Sequence, residues 1–440
     1  MLHQIKRFIP NWALDIYHRT LSITAAAIYG NPSHKMVVIG VTGTNGKTST
    51  AYMIAKALEA GGQKTGCTTT ALFKIADKEW LNDTKMTMLG RFALQKNLKQ
   101  MLDAGCRYAV IEVSSQGIVQ HRHEHIAFDI GVFTNLTPEH IEAHGGFENY
   151  KQAKINLFRH IASLPEKIVD GQKIIKAFIL NKDDKYSQDF AVPGVDNIVW
   201  YGIDDKSDIK ADSVEESEQG IKFKLGDNQI NLLIPGKVNV YNSLAAIATA
   251  KALDIQTSDA IQALEKISNI PGRFELIDEG QSWRVMVDYA PEPESLKKVY
   301  ETIKLINPKR LIHVLGSCGG GRDVARRPIL GHMAGSTADI VIVTNEDPYD
   351  DDPLQIINQV ATGAREQGKI EERDLFLIPD RKQAIYKSME LAQDGDLVLL
   401  TGKGCEQAIC VAGGKKIPWD ERLVAKEAIH SAVAKRAKSK

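Results

Sequence analysis

Val37-Val38-Ile39-Gly40-Val41-Thr42-Gly43-Thr44-Asn45-Gly46-Lys47-Thr48-Ser49 passes from an apolar run through a glycine-bracketed turn into a segment of helical period. A buried strand, a turn and a helix opening at Lys47 aim backbone N–H groups and the positive end of a helix dipole at an anion. The usual phosphate-loop spacing asks for glycine five residues before Gly46, where this chain has Val41. The competing reading is an ordinary strand-turn-helix with a chance Gly-Lys-Thr. Strand, glycines, Lys47 and Thr48 nevertheless come in the order a nucleoside triphosphate needs, with Lys47 against β/γ oxygens and Thr48 on Mg²⁺.

The rest of the chain bounds what can surround this loop. At 440 residues, two or three domains are expected. Lys plus Arg and Asp plus Glu balance at 55 each, so no global field recruits nucleic acid or a membrane. The five cysteines form no C-x-x-C pair, which fits a reduced, cytoplasmic setting better than a disulfide or zinc framework. Ile5, Phe8, Ile9 and Trp12 fall at helical spacing beside Lys6 and Arg7, interrupted by Pro10. That pattern reads as a short helix packed on the next domain, with a membrane-interface anchor as the minor alternative.

From 36 to about 236, short apolar runs alternate with helical segments, the pattern of a mostly parallel sheet with helices on both faces. Ligands in such folds gather at the carboxyl ends of strands. Tyr108 to Ile111 delivers Glu112, Ser114 and Ser115 there; Ile130 to Phe133 delivers Thr134, Asn135, His140 and His144. Glu112 reads equally as a satisfied buried carboxylate or a metal ligand. The scattered histidines sit on no H-E-x-x-H helix, which disfavours zinc. Lys154, in a helical stretch from about Glu148, reads by itself as a solvated helix lysine. Residues 185 to 235 look like an edge or insertion of the sheet, followed by a helix over Val240 to Leu253 whose entry carries Asn239 and Asn242. Pro271-Gly272 marks a boundary, beyond which strands are expected at Arg284–Val287, Leu311–Leu315, Ile340–Val343, Leu375–Ile378 and Leu397–Leu400. The fold expected is α/β: a short helical segment (1–35), a central P-loop-type, mostly parallel sheet domain (36–270), and a C-terminal Rossmann-like α/β domain (271–440). The glycines of Gly316 to Asp323 do not form G-x-G-x-x-G, so a dinucleotide is not expected.

Taken together, the loop Thr42–Ser49, Glu112-Val113-Ser114-Ser115-Gln116-Gly117 through Arg122, Thr134-Asn135-Leu136 with His140 and His144, Asn239-Val240-Tyr241-Asn242, Gly272-Arg273-Phe274-Glu275, Asp288-Tyr289-Ala290, Gly319–Asp323 and Gly402-Lys403-Gly404 resemble the Mur ligase family. The likeness is greatest to the branch that adds the third amino acid to a UDP-N-acetylmuramoyl peptide, and it covers about residues 36 to 425. The failed loop spacing is then the family's own form of the motif.

The resemblance implies an ATP-dependent amide-bond ligase of peptidoglycan precursor synthesis working through an acyl phosphate, with two Mg²⁺ ions. It places Gly43, Thr44, Asn45, Gly46, Lys47, Thr48 and Ser49 on the phosphates, Asn239 and Asn242 toward adenine, and Arg273 and Asp288 toward phosphate and ribose. Thr48, Glu112, His140 and a carbamylated Lys154 would hold metal, with Lys47, Lys154, Glu112 and His140 as the catalytic set. Thr87, Ser114 and Arg122 would face a muramoyl-peptide-type acceptor, and Arg322, Glu346, Asp347, Gly402 and Glu406 the incoming amino acid. A cytoplasmic monomer with small-molecule substrates and no nucleic-acid partner is expected.

The chain also departs from the family pattern. The 35 residues before the loop strand are too few for the domain that grips the uridine nucleotide. Thr84-Lys85-Met86-Thr87-Met88 stands where Thr-Thr-Pro is usual, and Pro291 and Cys405 replace histidines. Tyr349 stands where enzymes that choose meso-diaminopimelate carry arginine. With Asp347, Asp350, Asp351 and Asp352 close in sequence, that change favours lysine over diaminopimelate. A folylpolyglutamate-synthase-like ligase and a non-catalytic nucleotide-dependent scaffold are the alternatives; a scaffold would bind ATP without substrate-dependent phosphate release.

Overall fold

The computed structural model describes residues 10–138, 144–203, 206–321 and 324–439. The first lobe carries β1 (Val37–Thr42), β2 (Thr65–Thr68), β3 (Leu72–Ile75), β4 (Lys78–Leu81), β5 (Tyr108–Glu112), β6 (Ile130–Phe133), a hairpin of β7 (Lys167–Val169) and β8 (Gln172–Ile174), then β9 (Ala177–Asn181), β10 (Asn197–Gly202) and β11 (Ile209–Lys210). Nine of these strands form one sheet in the order β11-β10-β9-β6-β1-β5-β2-β3-β4, parallel except at the β2-β3 and β3-β4 pairs.

β1 lies at the middle of that sheet and is covered on both faces, which is why its sequence is apolar without alternation. Val37, Ile39 and Val41 enter one core, shared with the helices Lys47–Glu59 and Val238–Ala252. Met36 and Val38 enter the other, shared with the helix Phe147–Ser163. Each such side chain removed from water stabilises by about 1.5–3 kcal/mol, so a register slip, which exchanges the two faces, is strongly opposed.

The expected edge region is β10 and β11, followed by a separate antiparallel sheet of β12 (Asp212–Ser217), β13 (Gly220–Leu225) and β14 (Asn228–Leu232). Pro10 is the residue just before a helix, Asn11–Ile28, where a missing N–H costs nothing. Ile5, Phe8 and Ile9 lie outside the described residues.

The second lobe is a sheet of β15 (Glu275–Leu276), β16 (Arg284–Val287), β17 (Leu311–Leu315), β18 (Ile340–Val343), β19 (Leu375–Leu377) and β20 (Leu397–Leu400), in the order β15-β16-β20-β17-β18-β19 and parallel except for β15. The five expected strands are present, the fourth ending one residue early at Leu377. Alternate residues feed opposite cores: Leu397 and Leu399 one, Val398 and Leu400 the other. The chain crosses between lobes where Ile270 packs in the first core and Phe274 against the second. A hairpin, β21 (Ala408–Val411) and β22 (Lys415–Pro418), precedes the last helix, Glu421–Ser439.

Among the described residues, no helix is long and apolar enough to cross a membrane.

Candidate active site

The loop after β1 is built largely from backbone. Gly43 has φ +150°, and a Cβ there would lie 1.9 Å from Thr134 Oγ1, so a side chain cannot fit. Thr44 N donates to Asn135 O at 2.8 Å and Asn45 N to Asn135 Oδ1 at 2.9 Å. Thr134 Oγ1 and Asn135 Nδ2 donate to Asn45 O at 2.8 and 3.0 Å. The segment after β6 is therefore the mould for the loop. Gly46, at φ +82°, opens the helix, and Lys47 Nζ folds back to donate to Thr44 O at 2.7 Å.

Lys154 approaches from beneath. It is 2 % exposed, donates from Nζ to Gly43 O at 2.6 Å, and lies 4.5 Å from the centre of the Tyr150 ring. The solvated-lysine reading therefore does not hold.

Glu112, the last residue of β5, is the hub of an oxygen cluster. Oε2 accepts from Thr48 Oγ1 at 2.9 Å and Thr70 N at 2.7 Å, and Oε1 accepts from Thr70 Oγ1 at 3.1 Å. Thr70 Oγ1 also lies 3.0 Å from Thr87 Oγ1. From the second lobe, Arg273 Nη2 donates to Thr48 Oγ1 at 3.3 Å while its guanidinium stacks on Tyr289 at 4.7 Å. Glu112 is thus both a satisfied buried carboxylate and part of an all-oxygen donor set of the kind Mg²⁺ takes.

One cavity between the lobes collects these groups. Thr44 to Ser49, Thr70, Thr87, Glu112, Asn239 and Asn242 line it from the first lobe; Arg273, Asp288, Cys318, Arg326 and Glu346 from the second. Asn242 Nδ2 donates to Asn239 Oδ1 at 2.9 Å, Thr50 Oγ1 donates to Asn242 Oδ1 at 3.0 Å, and Asn239 Nδ2 donates to Pro235 O at 2.7 Å. Asp288 accepts from Phe274 N at 2.8 Å; burial raises its carboxyl above the ordinary range, against the pull of Arg273.

Glu346 Oε1 accepts from Cys318 Sγ at 2.8 Å, whereas Oε2 is buried with no hydrogen-bond partner among the described residues. Burial pushes this carboxyl upward and Arg326 opposes it. Gly402, at φ +99°, leaves the room: a Cβ there would lie 2.6 Å from Glu346 Oε2.

Behind the cavity wall, Asp347 and Glu406 belong to a four-charge cluster. Lys403, fully buried, donates to Asp347 Oδ1 at 3.0 Å, Glu406 Oε2 at 2.8 Å and Ala408 O at 2.7 Å. Lys85 reaches across from the first lobe to Asp347 Oδ2 and, at 3.0 Å, to Glu406 Oε2. Burial would raise the Asp347 carboxyl, but Lys403 and Lys85 outweigh it and the net direction is down.

Arg381 fixes the neighbouring loops. Its guanidinium, paired with the fully buried Glu421, also donates to Asn345 O at 2.9 Å and Thr401 O at 2.7 Å.

Of the residues singled out from sequence, Thr44 to Ser49 of the loop, Glu112, Thr87, Asn239, Asn242, Arg273, Asp288 and Glu346 meet at the cavity. Ser114 caps a short helix, accepting from Gly117 N at 3.1 Å, and Arg122 bonds Met88 O and Gln120. His140 and Arg322 lie outside the described residues.

The acidic patch that favoured lysine is already engaged. Asp350 accepts from Gly413 N, Asp351 pairs with Arg327, and Asp352 caps a helix at Leu354 N, with Asp347 in the cluster. The aspartates therefore lend lysine no support, and Tyr349 in place of arginine is left as the ground of that expectation. Of the scattered histidines, His121 bonds Asp15 and Glu124, and His123 meets His160 edge-on at 5.0 Å. Sequence reading missed Thr70, Lys85, Lys403, Arg326 and Cys318. Thr70 follows the end of β2 and was open to the strand-end argument used for Glu112; Lys85 carried no local signal.

Comparison with known proteins agrees with this arrangement. The profile described as Mur ligase middle domain matches residues 41–250, and that described as Mur ligase, glutamate ligase domain matches 272–404. A UDP-N-acetylmuramyl-tripeptide synthetase from Roseiflexus sp. (strain RS-1) is 38% identical over 431 residues, 96% of this chain and 84% of that protein. A UDP-N-acetylmuramoyl-L-alanyl-D-glutamate--2,6-diaminopimelate ligase from Geobacillus thermodenitrificans (strain NG80-2) is 36% identical over 427 residues, with the same coverage of 96% and 84%. Among solved structures, MurF from Acinetobacter baumannii has a TM-score of 0.65 at 18% identity, over 95% of this chain and 80% of that one. Folylpolyglutamate synthase from Mycobacterium tuberculosis reaches 0.67 at 15% identity, over 87% and 92%; these two likenesses concern the fold alone. The chain belongs to the Mur ligase family and is an ATP-dependent acid–amino-acid ligase.

Proposed function

We propose that the protein joins an amino acid to the free carboxylate of a UDP-muramoyl-dipeptide-type acceptor, a cytoplasmic step of peptidoglycan precursor synthesis. The observation that carries this reading is the shared cavity, which sets the phosphate loop and the Glu112 cluster opposite Glu346 and Arg326 of the second lobe. Phosphate and amine chemistry can meet only in a space both lobes enclose.

In this reading a carboxylate oxygen of the acceptor attacks the γ-phosphorus of ATP, ADP leaves, and an acyl phosphate forms. The amine of the incoming amino acid, having lost a proton, attacks the acyl carbon; the amide forms and phosphate leaves. Lys47 offsets the anionic charge of the phosphates, and the loop N–H groups orient them. Glu346, with one carboxylate oxygen unbonded at the cavity, holds the α-ammonium and is placed to take its proton. Asn239 and Asn242 face the base, with Arg273 and Asp288 toward phosphate and ribose.

Thr48 and Glu112 are the described oxygen donors that fit Mg²⁺, and the proposal adds His140 and a carbamylated Lys154. The metal supplies charge neutralisation at the phosphates. Carbamylation would turn the Lys154 cation into an anionic oxygen ligand.

The test is a phosphate-release screen crossing UDP-muramoyl dipeptide, lipid-linked muropeptide and folate acceptors with a panel of amino acids, using Lys47→Ala as the blank. Release that needs both UDP-muramoyl dipeptide and an amino acid is expected. Release with folate and glutamate alone, or with ATP alone, would reject the proposal.

A further inference from the structure

Lys85 stands in the loop between β4 and the helix Arg91–Asp103, at φ +56°, a backbone conformation that a residue with a Cβ adopts at a cost. The turn is held by Asn82, whose Oδ1 accepts from Thr84 N at 2.9 Å and whose Nδ2 donates to Thr69 O and Met86 O at 2.8 and 2.9 Å. The loop thus presents Lys85 to the second lobe, where Lys416 Nζ donates to Thr84 O at 3.0 Å. The Lys85 side chain is 5 % exposed and its ammonium ends between Asp347 and Glu406.

The charges in this cluster balance. Asp347 and Glu406 supply two negative charges and Lys403 and Lys85 two positive ones, in surroundings that leave none of the four side chains more than 11 % exposed. One of those positive charges is not the second lobe's own. Without Lys85, Lys403 is the one ion-pair partner left to Asp347 and Glu406 among the described residues, and the three remaining side chains carry a net negative charge, a state a buried site disfavours strongly. The cluster adjoins the proposed amino-acid site directly: Asp347 follows Glu346 in the chain, and Glu346 lines the cavity.

We infer that Lys85 is a specificity-determining residue of the amino-acid site: its ammonium occupies the Asp347–Glu406 pair, so the closed enzyme rejects an amino acid whose side chain brings a lone positive charge and accepts one whose side chain is uncharged or zwitterionic. The inference rests on the proposed ligase reading and deepens it by naming the class of substrate. The physical basis is exclusion. A second ammonium must either displace Lys85 or enter a desolvated cluster that is already neutral, and specificity gained by leaving a competitor's charge unpaired is larger than that gained from shape alone.

Lys85 also leads, two residues on, to Thr87, which meets Thr70 and through it Glu112. A purely structural latch would therefore impair every amino acid alike.

The experiment measures kcat/KM for L-lysine and for meso-diaminopimelate with UDP-muramoyl dipeptide and ATP, in the wild type, Lys85→Met and Lys85→Arg. The wild type is expected to favour the zwitterionic side chain over L-lysine by about tenfold or more, a charge-discrimination effect of ordinary size. Lys85→Met should shift that ratio toward L-lysine by at least about tenfold, and Lys85→Arg should leave it within about twofold. A ratio unchanged in Lys85→Met, with both substrates reduced equally, would show a latch and overturn the inference. A wild type that uses L-lysine as well as diaminopimelate would also overturn it, whether or not the variant folds. Absence of phosphate release with every amino acid would instead reject the ligase reading itself.

Discussion

Lys47 and Lys85 both stand on loops of the first lobe, and they are held in opposite ways. Lys47 bonds the carbonyl of Thr44, three residues back. Lys85 bonds Asp347, 262 positions away, on the other lobe. The first is shaped by its own loop, whose glycines and helix start create an anion site whether or not the lobes meet. The second has a buried partner only when they do. The contrast separates two kinds of contact: the one that shapes the loop lies within a few residues of sequence, and the one that neutralises the Asp347–Glu406 pair spans both lobes.

The largest effect that would sharpen this contrast is expected at the loop. Lys47→Ala should reduce acceptor-dependent phosphate release by ~10³-fold, the scale of losing one preorganised electrostatic contact. Its melting temperature should stay within about 2 °C of the wild type, because the change lies away from the core. Equal loss of folding stability and activity would break the comparison.

Lys403→Met addresses the cluster. It leaves two buried carboxylates with Lys85 alone and should cost about 3–5 kcal/mol in denaturant unfolding. Adding Asp347→Asn should recover part of that loss, and additive costs would mean that the two side chains do not act as a pair.

The pH dependence should also differ between regions. Burial first, with His160 and His121 adding to it, pushes His123 down from 6.5 to about 3. The unfolded chain therefore binds a proton that the folded one refuses. That stability is complete above about 6.5 and is lost as pH falls toward about 3. Asp347 lies below its ordinary value and Lys85 above its own. The Asp347 contribution is thus present above the ordinary carboxylate range and lost as pH falls through its lowered value; that of Lys85 is present below the ordinary lysine range and lost as pH rises through its raised one. The melting-temperature difference between wild type and Lys85→Met should accordingly stay flat across neutral pH, while the difference between wild type and His123→Gln changes below about 6.5.

The smallest effect is expected for Lys416→Ala, which removes one exposed bond to the Thr84 carbonyl. Less than about 0.5 kcal/mol in stability should result, with an unchanged ratio between amino acids.

These contrasts explain what the sequence could disclose. β1, β5, β6 and the second-lobe strands were legible because burial on both faces writes a continuous apolar run. Glu112 was legible because it ends such a run. The loop was legible despite Val41, since Gly43, Gly46, Lys47 and Thr48 are neighbours in sequence. The cluster was legible only in part: the resemblance pointed to Asp347 and Glu406, but nothing in the sequence near Lys85 tied it to residues 262 positions away. Lys154 was misjudged from residues alone for the same reason, as its partner Gly43 lies 111 positions away.

The Arg381–Glu421 pair has a consequence for the cost of each turnover. By holding the carbonyls of Asn345 and Thr401, it sets the loop that carries Glu346 and Asp347 and the loop that carries Gly402 and Lys403 at a fixed spacing. The entropy of ordering both loops is met once, when the last helix docks during folding, and is not charged again when an amino acid arrives. The two loops are thus held in place by contacts of the second lobe's own, Arg381 with Glu421 and the two carbonyls.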